Sequence, residues 1–211
     1  MPKVLFYGGS FDPPHRVHRR LLEAALQLVQ PDVALVVPTG NASSYKKREL
    51  SPAADRLRMC QLAFGDLPRV QISSIEAHSL QPNYTIDSLE ALECSLGQGV
   101  QWFLLLGADQ LAAIRTWRRW PELLAKVTIV LADRPGLDSA MDRGKADGGQ
   151  NGHNSSPCNL LHLPLLPDGL SSTAIRLALT AQGQGAQVQA VLQDALDARV
   201  LRYIADHSLY F

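Results

Sequence analysis

Residues 3–29 read KVLFYGGSFDPPHRVHRRLLEAALQLV, and the fold turns on how this stretch divides. Lys3–Tyr7 is a short apolar run stopped by Gly8 and Gly9, the pattern of a buried strand, whereas Leu21–Val29 spaces its apolar residues as a helix does. Val33–Val37, held between Pro31 and Pro38, supplies a second buried strand, so the opening is a β-α-β unit with a right-handed crossover. The loop inside it is expensive. Two glycines and two prolines with little apolar area lose chain entropy and gain little burial, so a bound ligand explains the loop better than stability does.

Outward from this unit the alternation continues. Ser51–Phe64 predicts a helix with Ser51 as its cap and Pro52 in its first turn. Val70–Ser73 predicts a strand, and Thr85–Leu96 a helix with Ile86, Leu89, Leu92 and Leu96 on one face. Gln101–Leu106 and Val127–Ala132 are strongly apolar strands, and Leu160–Leu163 is a short last one. From Ser171 the pattern is helical. The sum is an α/β fold: a single doubly wound, Rossmann-like parallel sheet with helices on both faces and a helical C-terminal segment, residues 1–211 forming one domain. Residues 133–159 are dense in Gly, Asp, Asn and Ser without an apolar period, and are expected to form a mobile surface loop.

Composition narrows the function. Hydrophobic residues make up 46% of the 211, too many for a disordered chain. Lys plus Arg and Asp plus Glu balance at 20 each, so no overall field draws the molecule to nucleic acid or an anionic membrane, and neither is expected as a partner. Cys60, Cys94 and Cys158 are too few and too scattered for a disulfide framework or a Cys-pair zinc site. The opening apolar run is too short for a signal peptide, and no stretch approaches the roughly 18 apolar residues of a membrane span, so a cytoplasmic protein is expected. Oligomeric state is not legible in the sequence.

In open α/β sheets ligands bind at the carboxyl ends of strands, where the Gly8–Gly9 loop lies. Positive φ at these glycines, close backbone approach and the dipole of the following helix all suit a phosphate. His15 and His18, at i and i+3, share a face if the helix has begun by then. The stretch is neither GxxxxGK[ST] nor GxGxxG, which excludes an ordinary P-loop or dinucleotide fingerprint. A metal site from Asp12, His15 and His18 lacks a further strong ligand, and none is predicted.

Gly8, Gly9, Ser10, Phe11, Asp12, Pro13, His15 and His18 resemble the GG-[ST]-F-D-P-x-H-x-G-H signature of the nucleotidylyltransferase superfamily. The likeness extends along the chain to one branch, the bacterial nicotinate-nucleotide adenylyltransferase family. PNYTIDSL (82–89) resembles its P-S-Y-T-x-x-T-L, and GADQLAAIRTW (107–117) its G-x-D with a Trp-containing turn. Arg134–Gly136 matches R-P-G, Ser171–Arg176 the phosphate-binding S-[SA]-T-x-I-R, and YIADHSLY (203–210) the C-terminal motif. Val17 stands where the signature has glycine, Asn83 where it has serine, and Tyr45, Lys46 and Lys47 where a histidine and one base are usual.

The resemblance implies transfer of AMP from ATP, with Mg²⁺, to nicotinate mononucleotide, giving deamido-NAD and pyrophosphate in NAD biosynthesis. The same chemistry on nicotinamide mononucleotide or another phosphate acceptor, or a non-catalytic nucleotide-binding module marked by Val17, are the alternatives. His18, His15 and Arg176 would be catalytic. Gly8, Gly9, Ser10, Phe11, Gly107, Asp109, Arg134, Ser172 and Thr173 would join them on ATP, and Lys46, Tyr84, Thr85, Asp109 and Trp117 would hold the acceptor. From local sequence alone Thr85 reads equally as a helix cap, Asp109 reads as a helix cap, and Arg115, Arg118 and Arg119 read more commonly as a solvated basic face.

Overall fold

A computed structural model describes residues 1–40, 50–79, 81–97, 99–133, 159–164, 169–180 and 186–210. Strands β1 (Lys3–Gly9), β2 (Val33–Pro38), β3 (Val70–Ile72), β4 (Gln101–Gly107), β5 (Val127–Asp133) and β6 (Leu160–Pro164) form one sheet in the order β3-β2-β1-β4-β5-β6. Every neighbouring pair is parallel. This is the doubly wound order, and it reverses between β1 and β4, so connections leave the sheet on opposite faces there and open a crevice at the carboxyl ends of these two strands.

Strand alternation builds a core on each face. Leu5, Tyr7, Ala34, Val36, Phe103 and Leu105 point to one side, where α1 (Arg16–Val29), α2 (Ala53–Phe64) and the C-terminal helices α6 (Ser172–Thr180), α7 (Ala186–Ala195) and α8 (Ala198–Asp206) cover them. Val4, Phe6, Leu35, Val37, Leu104 and Leu106 point to the other, under α3 (Thr85–Leu96) and α5 (Trp120–Lys126), with the short α4 (Ala108–Ala113) and a 3₁₀ turn (Ile114–Thr116) between β4 and α5. On α3 the expected apolar face holds for Ile86 and Leu89, but Leu96 is exposed, because the helix runs past the layer it covers.

Two local expectations are corrected. Ser51 is not the cap of α2: Pro52 takes that position, while the Ser51 amide donates to Asp12 Oδ2 (3.4 Å) and the Ser51 carbonyl accepts from Arg56 Nε (2.9 Å). Gly8 and Gly9 are not in positive-φ conformations, because β1 continues through both, paired with Val37 and Pro38. The expected loop at 133–159, apart from its ends, lies outside the described residues, as do Lys46 and Arg134. Among the described residues no helix is long and apolar enough to cross a membrane.

Candidate active site

The end of β1 lacks side chains because aromatic rings come close. A Cβ on Gly8 would lie 2.9 Å from Phe6 Cε1, and one on Gly9 3.0 Å from Phe11 Cζ. The left-handed residue of the loop is Phe11 itself (φ 45°), a strained conformation for a bulky side chain. Burial compensates: its ring is 1% exposed and packs edge-on against Tyr7, Phe64 and His18. The Phe11 side chain therefore belongs to the core, and only its backbone faces the loop.

His15 is the N-cap of α1 and His18 its third residue, their rings 3.8 Å apart. The His15 amide donates to His18 Nδ1 at 3.2 Å, one half of a capping box. With Nδ1 accepting, the ring proton sits on Nε2, which becomes a donor aimed away from the helix. Burial, reinforced by the neighbouring His15, drives the His18 pKa well below the usual imidazole value. His18 thus offers a neutral N–H donor rather than a cation. Val17, between the two histidines, is half-buried on the same first turn.

The start of α6, far away in sequence, docks on this loop. Ser172 Oγ donates to the Pro13 carbonyl (3.0 Å), and Arg176 donates through Nη1 to the Asp12 carbonyl (2.6 Å) and through Nη2 to Thr173 Oγ1 (3.1 Å). Ser171 Oγ caps the helix by accepting from the Ala174 amide. Asp12 is fully buried, and its Oδ1 accepts from the Tyr210 hydroxyl at 2.6 Å. Burial and the Asp12 carboxylate push the Tyr210 pKa far up, so the phenol keeps its proton and the bond persists. Arg56, also fully buried, donates to the Ser10 carbonyl at 3.0 Å. Sequence reasoning missed Arg56, since one arginine in an amphipathic helix carries no signal of its burial.

A cavity of about 370 Å³ opens at the crevice beside Gly8 and Gly9. Tyr84, Thr85 and Trp117 line it, as does Arg118, whose guanidinium lies 4.8 Å from the Tyr84 ring centroid. Tyr84 is the N-cap position of α3 without a side-chain bond, so Thr85 is the first helical residue and not its cap. The basic run divides. Arg119 is held by Glu90 and Glu122, whereas Arg118 faces the cavity with one longer contact to Asp87 (3.8 Å).

Glu76 also lines the cavity and was not found from sequence. It is 5% exposed, accepts from Ser88 Oγ at 2.7 Å, and is pushed up to about 7 by burial. Gly107 and Asp109 stand apart from the cavity walls at the start of α4, Asp109 exposed in the first turn and not at the cap, which is Gly107. A Cβ on Gly107 would lie 2.9 Å from Asp109 Oδ1, so the glycine lets that carboxylate fold close to the backbone. The structure thus gathers the histidines, Ser172, Thr173 and Arg176 around the 10–15 loop, and Tyr84, Thr85 and Trp117 around the cavity, with Gly8 and Gly9 reaching it. Among the described residues no group of three or more His, Cys, Asp or Glu is placed to hold a metal ion.

The model of the family described as Cytidylyltransferase-like matches residues 6–178, which places this doubly wound chain among the nucleotidyltransferases. A protein of Albidiferax ferrireducens, named "Probable nicotinate-nucleotide adenylyltransferase", is 39% identical over 210 residues, covering 100% of this chain and 98% of its own length. One of Bordetella petrii with the same name is 34% identical and covered in full by this chain. Among solved structures, Plasmodium falciparum nicotinic acid mononucleotide adenylyltransferase complexed with NaAD superposes with a TM-score of 0.77 at 19% identity, over 100% of this chain and 98% of that one, a likeness of fold. The chain belongs to the nicotinate-nucleotide adenylyltransferase family.

Proposed function

We propose that the protein transfers the adenylyl group of ATP to nicotinate mononucleotide, giving deamido-NAD and pyrophosphate in the NAD biosynthesis of the cytoplasm, with residues 1–211 acting as one domain. One observation carries the reading: the Arg176 bond to the Asp12 carbonyl, which joins the start of α6 to the loop that starts α1. Two helix beginnings, each a favourable place for an anion, then address one triphosphate.

In the reaction an acceptor phosphate oxygen attacks the α-phosphorus in line. The bond from that phosphorus to the bridging oxygen breaks, and its electron pair leaves with pyrophosphate. The attacking phosphate is already ionised near neutral pH, so positioning and charge stabilisation supply the rate. His18 donates through Nε2 to the oxygens that gain charge, with His15 beside it, and Arg176 adds a planar cation with Ser172 and Thr173. Gly8, Gly9 and the backbone of Ser10 and Phe11 pass close to the phosphates. Gly107 and Asp109 suit the ATP ribose; Arg134 for ATP and Lys46 for the acceptor, both outside the described residues, rest on the sequence resemblance alone. Imidazole N–H, guanidinium and amide groups are partners for oxyanions and not for a cation, so a divalent cation, Mg²⁺ in this proposal, would be held by the triphosphate and would supply charge neutralisation there.

On the acceptor side Trp117 stacks on the pyridine ring beside Tyr84 and Thr85. Arg118 at the cavity favours an acceptor carrying a ring carboxylate over the amide. The deciding experiment measures pyrophosphate release from ATP and Mg²⁺ with nicotinate or nicotinamide mononucleotide, for the wild type and Val17→Gly. Release with the acid, slower release with the amide and Val17→Gly within a few-fold of wild type are expected. Preference for the amide overturns the acceptor; ATP binding without release from the wild type overturns the enzyme.

A further inference from the structure

We infer that Arg56 is a positioning residue for the transfer reaction: its guanidinium holds the Ser10 carbonyl inward and so presents the N–H of the same peptide, that of Phe11, to the triphosphate. The inference rests on the adenylyl-transfer reading above and names what keeps one backbone donor of the loop in place. Arg56 lies on α2, is fully buried, and reaches the loop from inside the core. Its Nη1 donates to the Ser10 carbonyl at 3.0 Å and its Nε to the Ser51 carbonyl at 2.9 Å. The Ser51 amide in turn donates to Asp12 Oδ2 at 3.4 Å, so one planar group fixes residue 10 directly and residue 12 through one intermediate. From the other side Arg176, half-buried, holds the Asp12 carbonyl at 2.6 Å. Guanidinium groups from two helices thus grip alternate carbonyls of the turn between β1 and α1.

Peptide geometry gives the first grip its consequence. The Ser10–Phe11 peptide is planar and trans, so its N–H points opposite to its C=O. With the carbonyl turned to α2, the Phe11 amide is aimed away from α2, and among the described residues it has no acceptor. Phe11 is left-handed (φ 45°), a conformation that a bulky residue keeps only where its surroundings over-determine it. Tyr7, Phe64 and His18 lock the ring, and the Arg56 bond locks the peptide that precedes it. For packing alone, an apolar side chain of similar volume would serve α2 as well, because burying a guanidinium is costly. A lysine would not replace it, since an ammonium is one point of charge and the two carbonyls are met by a fixed fork.

The test follows single-turnover pyrophosphate release from ATP and Mg²⁺ with saturating nicotinate mononucleotide. It compares wild type, Arg56→Lys, and a form whose Phe11 amide is replaced by an ester, which removes that N–H and leaves every side chain in place. With enzyme in saturating excess over ATP, the rate constant is independent of how much of a variant is folded, so a merely structural role leaves it unchanged. Arg56→Lys should lose about 10- to 100-fold in rate, the scale of a displaced oxyanion donor, with KM for the mononucleotide within about 3-fold of wild type. The ester should lose a similar factor, and the ester combined with Arg56→Lys little more than either alone, because both remove one interaction. An unchanged rate constant in Arg56→Lys, or additive losses in the combined form, overturns the inference while the reaction stands. Should Arg56→Lys not melt cooperatively, Arg56→Gln, which reaches one carbonyl, takes its place in the comparison. The ester keeps Arg56, and a rate within about 2-fold of wild type overturns the inference without any Arg56 variant. No release from the wild type overturns the reading of the reaction itself.

Discussion

Asp12 and Thr39 follow neighbouring parallel strands at the same edge of the sheet, yet their surroundings are built in opposite ways. At Asp12 both carboxylate oxygens and the carbonyl are engaged, by Tyr210, Ser51 and Arg176, from segments up to 198 residues away. At Thr39 and Asn83 two buried oxygens have no hydrogen-bond partner among the described residues. The loop is braced during folding, so its donors are in place before a polyanion arrives and binding costs little further ordering. Unmet polar groups of this kind cost about 1–3 kcal/mol each.

The comparison can be broken from the loop side first. His18→Ala should lower kcat by roughly 10²- to 10³-fold, the cost of one donor to a developing oxyanion, with ATP binding largely kept. A loss below about 5-fold in single-turnover pyrophosphate release removes His18 from the chemistry. On the cavity side the expected signature is pH-dependent stability. The Glu76 carboxyl stands near 7 in the fold against an ordinary 4.5. Below 4.5 it is protonated in both states and takes nothing from stability; between 4.5 and about 7 the unfolded chain ionises while the fold holds the proton, so stability falls as pH rises. Above 7 the loss is complete, at about 3 kcal/mol. Urea unfolding across this range should show that slope, and Glu76→Gln should flatten it.

Smaller effects sharpen the same contrast. Tyr210→Phe leaves the buried Asp12 carboxylate short of one donor and should cost about 1–3 kcal/mol in urea unfolding. It should also lower kcat several-fold with nicotinate mononucleotide, since the Asp12 carbonyl positions Arg176. Stability within about 0.5 kcal/mol of wild type would remove Tyr210 from the bracing. The smallest change is expected at Asp66, which pairs with Arg19 (2.8 Å) and Arg199 (3.4 Å) on the surface and is held well below the usual carboxylate range mainly by its Arg19 bond. Exposed pairs are screened, so Asp66→Ala should cost less than about 1 kcal/mol and less still in high salt.

Much of the fold was legible. β1 to β6 fall within two residues of the apolar runs that predict them, and α3 spans the predicted Thr85–Leu96, because a strand buried on both faces and an amphipathic helix each write their period into the chain. The errors are local rules overruled by distant partners. Ser51 looks like a cap but its backbone serves Asp12 and Arg56. Gly8 and Gly9 look like turn residues but are strand residues under aromatic rings. The Gly-Gly loop, the histidine pair and the SSTAIR segment were visible as motifs; Glu76, Arg56 and Thr39 were not, since one polar residue among ordinary neighbours has no period and no spacing.

By itself the sequence determined the α/β alternation, the carboxyl edge where a ligand sits and the residue types that suit a phosphate, because each follows from contacts between residues near in the chain. Only the tertiary structure decided that Arg176 and Tyr210 meet Asp12, that Arg118 and not Arg119 faces the cavity, and that Gly40 lets residues 39, 76 and 83 converge. Such meetings depend on how the sheet and its helices close around one another, and no local pattern of side chains encodes that distance.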